Sequence, residues 1–194
     1  SRVAVFRDQG LAAMRTLVGR QIAPRINKRT KRLWVYYSGH GFPLIEGGRP
    51  PEPYLLPVDG DPGLLKATAI SLEDLKKELG ALKRSMADGA EIVLVLEACF
   101  SGRSSKGAVQ PKVSGSAFSI DLGPDASILT LAATGADHVA SWDHEEKAGL
   151  FTALLVETLF GRAGRAPDGR ITVDHLQSLI DRELQVRLAR LYPG

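Results

Sequence analysis

The stretch Ile92-Val93-Leu94-Val95-Leu96-Glu97-Ala98-Cys99-Phe100-Ser101-Gly102 decides the architecture. Five apolar residues in a row, without alternation, predict a strand covered on both faces, as strands of a parallel sheet are. An acid and a thiol follow directly, and then a glycine. The same form recurs upstream, where the aromatic and aliphatic run Leu33–Tyr37 is followed by Ser38-Gly39-His40-Gly41. It too is read as a fully buried strand. A third run of this kind is Ser127–Ala132.

Helical patterns lie around these strands. Leu11, Met14, Leu17 and Val18 form a stripe that ends near Pro24. Ser71 is an N-cap with Asp74 three residues on, much like a capping box, and Leu72, Leu75, Leu79 and Leu82 make one apolar face. Phe151, Leu154, Leu155, Thr158 and Leu159 make another, ending at Gly161. Thr172 caps a last helix with Leu176, Leu179, Ile180 and Leu184 inward. Strands alternating with helices predict an α/β fold with right-handed crossovers, as one domain over residues 1–194. Residues 102–125, rich in Gly, Ser, Pro and Lys, are expected to be a long loop, functional, mobile or cleaved. Residues 161–169 read as a shorter Gly/Arg/Pro turn.

Composition narrows the classes. With 44% hydrophobic and 24% charged residues, the chain is built to fold rather than to stay disordered. A net charge of +3 gives no electrostatic footprint for nucleic acid, and the basic residues of Arg25–Arg32 lack the interleaved aromatics of a single-strand binder. No apolar run is long enough for a membrane span. The single cysteine excludes an internal disulfide, and a reducing, cytoplasmic compartment suits it if it is a working thiol. His138, His144 and His175 are not spaced as metal ligands, and Asp59 and Asp61, which flank a glycine, read as turn residues. Asp168-Gly169-Arg170-Ile171-Thr172 has a fragment of a calcium-loop pattern without most of its ligands, and reads as a helix-initiating turn.

Taken singly, Cys99 also fits a buried structural cysteine, and His40 an exposed turn residue. Together they say more. Both follow strands expected to be parallel, and ligands bind at the carboxyl edge of such sheets. A thiol beside an imidazole is a usable nucleophile, because the base takes its proton and returns it to the leaving amine. The oxyanion that forms needs fixed donors, for which the backbone N–H groups of Gly41 and Cys99 are candidates.

Tyr36-Tyr37-Ser38-Gly39-His40-Gly41 with Glu97-Ala98-Cys99-Phe100-Ser101-Gly102 resembles the paired signature of the caspase–metacaspase superfamily. The caspase form is Gln-Ala-Cys-x-Gly with a His about 50 residues upstream; here the separation from 40 to 99 is 59 residues. Tyr54-Leu55-Leu56-Pro57-Val58-Asp59, Ala132-Ala133-Thr134 through Ala140-Ser141-Trp142, and Gly149-Leu150-Phe151-Thr152 are similar to bacterial members. The resemblance implies a caspase–haemoglobinase-like three-layer sandwich with a mainly parallel sheet. It implies a His40/Cys99 dyad and peptide-bond hydrolysis through an acyl-thioenzyme, with no metal or organic cofactor. Some metacaspases require calcium, and no acidic loop matches such a site here.

Specificity is read from Glu97. Caspases carry Gln at this place and accept aspartate; metacaspases carry Asp and accept Arg or Lys. A partly desolvated carboxylate favours a cation, so cleavage after Arg or Lys is expected. Ser38 is expected to line the same pocket, and Ser141 and Trp142 to match a neighbouring subsite wall. Glu97 as a structural ion-pair partner, and Trp142 as a core or lid aromatic, are the alternatives. Arg103, Lys106 and Lys112 in the 102–125 loop are candidate self-processing points. Relatives open with a central strand and a first helix that Ser1–Leu33 does not contain, so a further N-terminal segment or a partner chain is expected to complete the sheet. The competing reading is a catalytically silent caspase-fold module that binds a protein partner, against which the intact His40/Cys99 pair argues. A nucleotide-binding α/β protein is disfavoured by the lack of a Gly-rich phosphate loop.

Overall fold

The computed structural model describes residues 3–47, 49–98, 119–121, 128–133, 142–143, 148–160 and 171–191. In chain order its elements are α1 (Leu11–Thr16), β1 (Arg32–Ser38), β2 (Gly41–Leu44), β3 (Glu52–Leu55), α2 (Leu65–Thr68), β4 (Ile70–Ser71), α3 (Leu72–Leu82), β5 (Glu91–Glu97), β6 (Ser119–Asp121), β7 (Ile128–Ala132), β8 (Trp142–Asp143), β9 (Ala148–Gly149), α4 (Leu150–Phe160) and α5 (Val173–Leu191). The principal sheet has the order β1-β5-β7-β6. Its first three strands run parallel and β6 is antiparallel to β7. Two smaller antiparallel sheets are β2-β3-β4 and β8-β9.

Alternate side chains of β5 explain the layering, since successive residues of a strand point to opposite faces. Ile92, Leu94 and Leu96 pack with Leu72, Leu79 and Leu82 of α3 and with Val18 beyond α1. Val93 and Val95 pack on the other face with Leu131 of β7, Phe151 and Leu155 of α4, and Leu176 and Ile180 of α5. A helical layer on each face of a mainly parallel sheet is the architecture expected from the uninterrupted apolar run. The helix ends follow local chemistry. Ser71 Oγ accepts from Asp74 N at 3.4 Å at the start of α3, and Thr172 Oγ1 accepts from His175 N at 3.3 Å at the start of α5. Among the described residues no helix is long and apolar enough to cross a membrane.

Three expectations change. The run Leu33–Tyr37 is a strand but is not covered on both faces. Leu33, Val35 and Tyr37 pack into the core, whereas Trp34 and Tyr36 remain 47% and 52% exposed. The reason is position: β1 is the edge of the principal sheet, and no described strand pairs with its other side. The expected 102–125 loop contains β6, which pairs through Ser119–Ala132, Ile120–Leu131 and Asp121–Thr130. The stripe that begins at Leu11 is not a regular α-helix up to Pro24. It widens into a π-helical stretch over Leu17–Ile22 and tightens into a 3-10 turn over Ala23–Arg25, where Pro24 sits.

Leu94 is fully buried where β5 meets α3. Leu94→Ala is expected to lower unfolding free energy by about 3 kcal/mol, the usual cost of such a cavity. Urea denaturation of both proteins measures it; a loss within about 0.5 kcal/mol, typical of surface sites, would contradict the packing described.

Candidate active site

β1 and β5 pair in register from Arg32–Glu91 to Ser38–Glu97. Beyond that last pair, at the same edge of the sheet, β1 leads into the turn that holds His40, and β5 into Ala98, the last described residue before Cys99. The backbone joins once more past the ladder, where Gly39 N donates to Glu97 O at 3.2 Å. Cys99 itself lies outside the described residues.

The His40 turn is held from behind. Its carbonyl accepts from Leu56 N at 2.9 Å and from the Tyr37 hydroxyl at 2.9 Å, and that hydroxyl is also 3.1 Å from Leu56 O. Burial pushes the Tyr37 hydroxyl up to about 12, the bond to Leu56 opposing only part of the rise. Gly39 is required by this brace, because a Cβ there would meet the Tyr37 hydroxyl at 2.6 Å. The His40 side chain is exposed, its ring 6.5 Å from that of Phe42. Gly41 is buried and lies opposite Leu55 in the β2–β3 pair. The neighbouring pair is the one bonded by Leu56 N to His40 O, so by antiparallel alternation the N–H of Gly41 points away from β3. It faces a side that no described strand covers. Ser38 is exposed at the last rung of β1.

Glu97 is 6% exposed. Its Oε2 accepts from Thr152 N at 2.8 Å and from the Thr152 hydroxyl, while the buried Oε1 has no partner among the described residues. The Tyr36 hydroxyl lies 3.0 Å from Thr152 Oγ1. Thr152 is the third residue of α4, where a capping side chain normally accepts the backbone N–H. Gly149, which precedes the helix, has no such side chain, and a Cβ there would overlap the Glu97 carboxyl group. Glu97 therefore caps α4 from the neighbouring strand and places negative charge at the positive end of the helix. Burial pushes its carboxyl above the usual carboxylate range, and the hydroxyl and backbone bonds from Thr152 oppose the rise.

His40, Gly41, Ser38 and Glu97 are thus brought to one edge of the sheet. Trp142 lies in β8, paired with Gly149. Ser141 and the processing candidates Arg103, Lys106 and Lys112 lie outside the described residues, as do His138 and His144. Asp59 and Asp61 act at turns: Asp59 Oδ1 accepts from Leu11 N at 2.8 Å and Asp61 Oδ1 from Gly63 N at 2.8 Å. In the sequence, Gly149-Leu150-Phe151-Thr152 stands out only as a family likeness. Nothing in that stretch signals that Thr152 grips Glu97 or that Tyr36 stands behind it.

A parallel α/β sheet with a histidine turn and a buried acid at its carboxyl edge defines the class. The family model of the caspase domain matches residues 2–185, and the chain belongs to that family of cysteine peptidases. No curated protein matches it.

The raised Glu97 carboxyl has a consequence for stability. The folded protein holds this proton more tightly than the unfolded chain, so the stabilisation is complete below the ordinary value of 4.5 and is lost as pH rises through the folded value. Glu97→Gln removes that slope and keeps an acceptor for Thr152. The variant is expected to gain stability relative to wild type as pH rises above about 4.5. Urea unfolding across pH tests this; a wild type that gains on the variant over the same range would contradict it.

Proposed function

We propose that the protein is a cysteine endopeptidase that cleaves after Arg or Lys, with Cys99 as nucleophile and His40 as acid and base. The observation that carries this reading is the in-register pairing of β1 with β5, which runs to Ser38–Glu97 and leaves two residues to His40 on one strand and two to Cys99 on the other. His40 takes the thiol proton, and the thiolate adds to the scissile carbonyl. The N–H groups of Gly41 and Cys99 stabilise the oxyanion. As the tetrahedral adduct collapses, the C–N bond breaks, His40 protonates the leaving amine, and an acyl-thioenzyme remains. Water, deprotonated by His40, then releases the acid and regenerates the thiol. No metal or organic cofactor enters this sequence of steps.

Glu97 supports the preference for basic residues, because a buried carboxylate with one oxygen unpartnered among the described residues attracts a cationic side chain and repels an anionic one. Ser38, on the adjoining rung, lines the same pocket, with Ser141 and Trp142 forming the neighbouring subsite wall. Arg103, Lys106 and Lys112 are the points at which such an enzyme processes itself. The edge of β1 that no described strand pairs with, where Trp34 and Tyr36 are exposed, is covered by a further strand of the same polypeptide or of a partner. A working thiol places the protein in a reducing compartment such as the cytoplasm.

Hydrolysis of peptide amides ending in Arg, Lys or Asp, under reducing conditions and with and without calcium, tests the reading. Cleavage after Arg and Lys is expected to exceed cleavage after Asp, and to fall by at least about a thousandfold in Cys99→Ala and His40→Ala proteins. Faster cleavage after Asp would refute the specificity. Absence of thiol-dependent cleavage from folded protein would favour a silent module that binds a protein partner. Intact-mass spectrometry of aged wild type beside Cys99→Ala is expected to show cuts after residues 103, 106 or 112 in the wild type alone, and identical masses would refute self-processing.

A further inference from the structure

The Thr152 hydroxyl has one proton, and it faces two oxygens. A carboxylate only accepts, so that proton goes to Glu97 Oε2, and the Tyr36 hydroxyl, 3.0 Å behind, donates to Thr152 Oγ1. The result is a directed chain, Tyr36 to Thr152 to Glu97, that runs from the exposed face of β1 to a buried acid. With the Thr152 N–H at 2.8 Å, Oε2 has two donors while Oε1 has none among the described residues. The two oxygens of one carboxylate are thus treated unequally, and an unpaired buried acceptor is costly unless something comes to meet it.

We propose that Thr152, aligned by Tyr36, is the positioning residue of the cation pocket: it holds Oε2 in place and leaves Oε1 as the acceptor for the guanidinium or ammonium group of the substrate. This inference rests on the basic specificity proposed above and adds the residues that set it. Thr152 acts through Glu97 and touches no substrate. Its hydroxyl also opposes the effect of burial on the acid, so the carboxylate keeps its charge at lower pH than it would alone. The backbone N–H at the same residue survives any substitution that leaves α4 intact, which separates the hydroxyl's part from the helix cap.

The test compares paired peptide substrates ending in Arg or in citrulline, its neutral isostere, across pH. Wild type is expected to prefer Arg. Thr152→Val is expected to lower the Arg-to-citrulline ratio of kcat/KM about tenfold, mainly through KM, as loss of one bond to a charged group implies. It is also expected to move the acid limb for the Arg substrate to higher pH. Thr152→Ser is expected to restore both. Tyr36→Phe, at an exposed residue, is expected to move both in the same direction by less, and serves if Thr152→Val does not fold. An equal loss on both substrates with an unmoved acid limb would mean that the hydroxyl only supports the fold, and would overturn the inference while leaving the basic specificity standing. A wild type that does not prefer Arg to citrulline would overturn the specificity reading, and the inference with it.

Discussion

The register between β1 and β5 is the constraint on which the site depends. Each residue of a strand advances about 3.3 Å, and a slip of one residue reverses which face every side chain meets. One step of error would carry His40 that far along the edge and turn Leu33, Val35 and Tyr37 out of the core. Several features hold the register. Alternate residues of β5 are committed to opposite apolar clusters. At the entry end, Arg32 bonds Glu91 across the first rung and Glu91 N donates to Lys31 O. At the exit end, Gly39 N reaches Glu97 O. The exposed ion pair contributes little energy by itself. Its value here is that it marks one pairing and no other.

Two helices of this fold begin in the same unusual way. α1 follows Gly10 and takes Asp59 as acceptor for its first N–H; α4 follows Gly149 and takes Glu97. In both cases a Cβ on the glycine would overlap the borrowed carboxyl group. A helix capped by its own N-cap residue can start before the rest of the domain is formed. A helix capped by a distant acid has that terminus completed only when the other segment arrives. For α4 the other segment is the end of β5, which leads to Cys99, so the position of the helix and the position of the acid are settled together.

Much of this was legible in the chain, for reasons that differ by segment. Ile92–Leu96 announced a central strand because it contains no polar residue, and Ser71 and Thr172 announced helix starts by hydroxyl chemistry that is local. Leu33–Tyr37 looked equally buried because all five residues are apolar or aromatic. Its half-exposed state goes with having no described strand on one side, which no property of the five residues records. The β2–β3 hairpin was not anticipated, since each strand has four residues and Pro43 and Pro53 interrupt any alternation. β6 is shorter still and lies in a stretch with the composition of a loop. At the site, the glycines on either side of His40 drew attention to it. The grip of Thr152 on Glu97 spans 55 residues and the contact of Tyr36 with Thr152 spans 116, so neither leaves a local pattern.

The brace on the histidine turn gives the ends of β1 and β5 different temperaments. Tyr37, with its hydroxyl at about 12, remains a donor to the carbonyls behind His40 well into alkaline solution. At the end of β5, the geometry around Glu97 hangs on a carboxyl group whose ionisation is opposed by its burial. Acidity and alkalinity therefore act on this edge asymmetrically. The turn after β1 is braced by a hydroxyl that stays protonated, and the end of β5 by an acid whose surroundings oppose its ionisation. A change of pH on the acidic side therefore acts where β5 meets α4, and one on the alkaline side reaches the brace behind β1 only near the top of the scale.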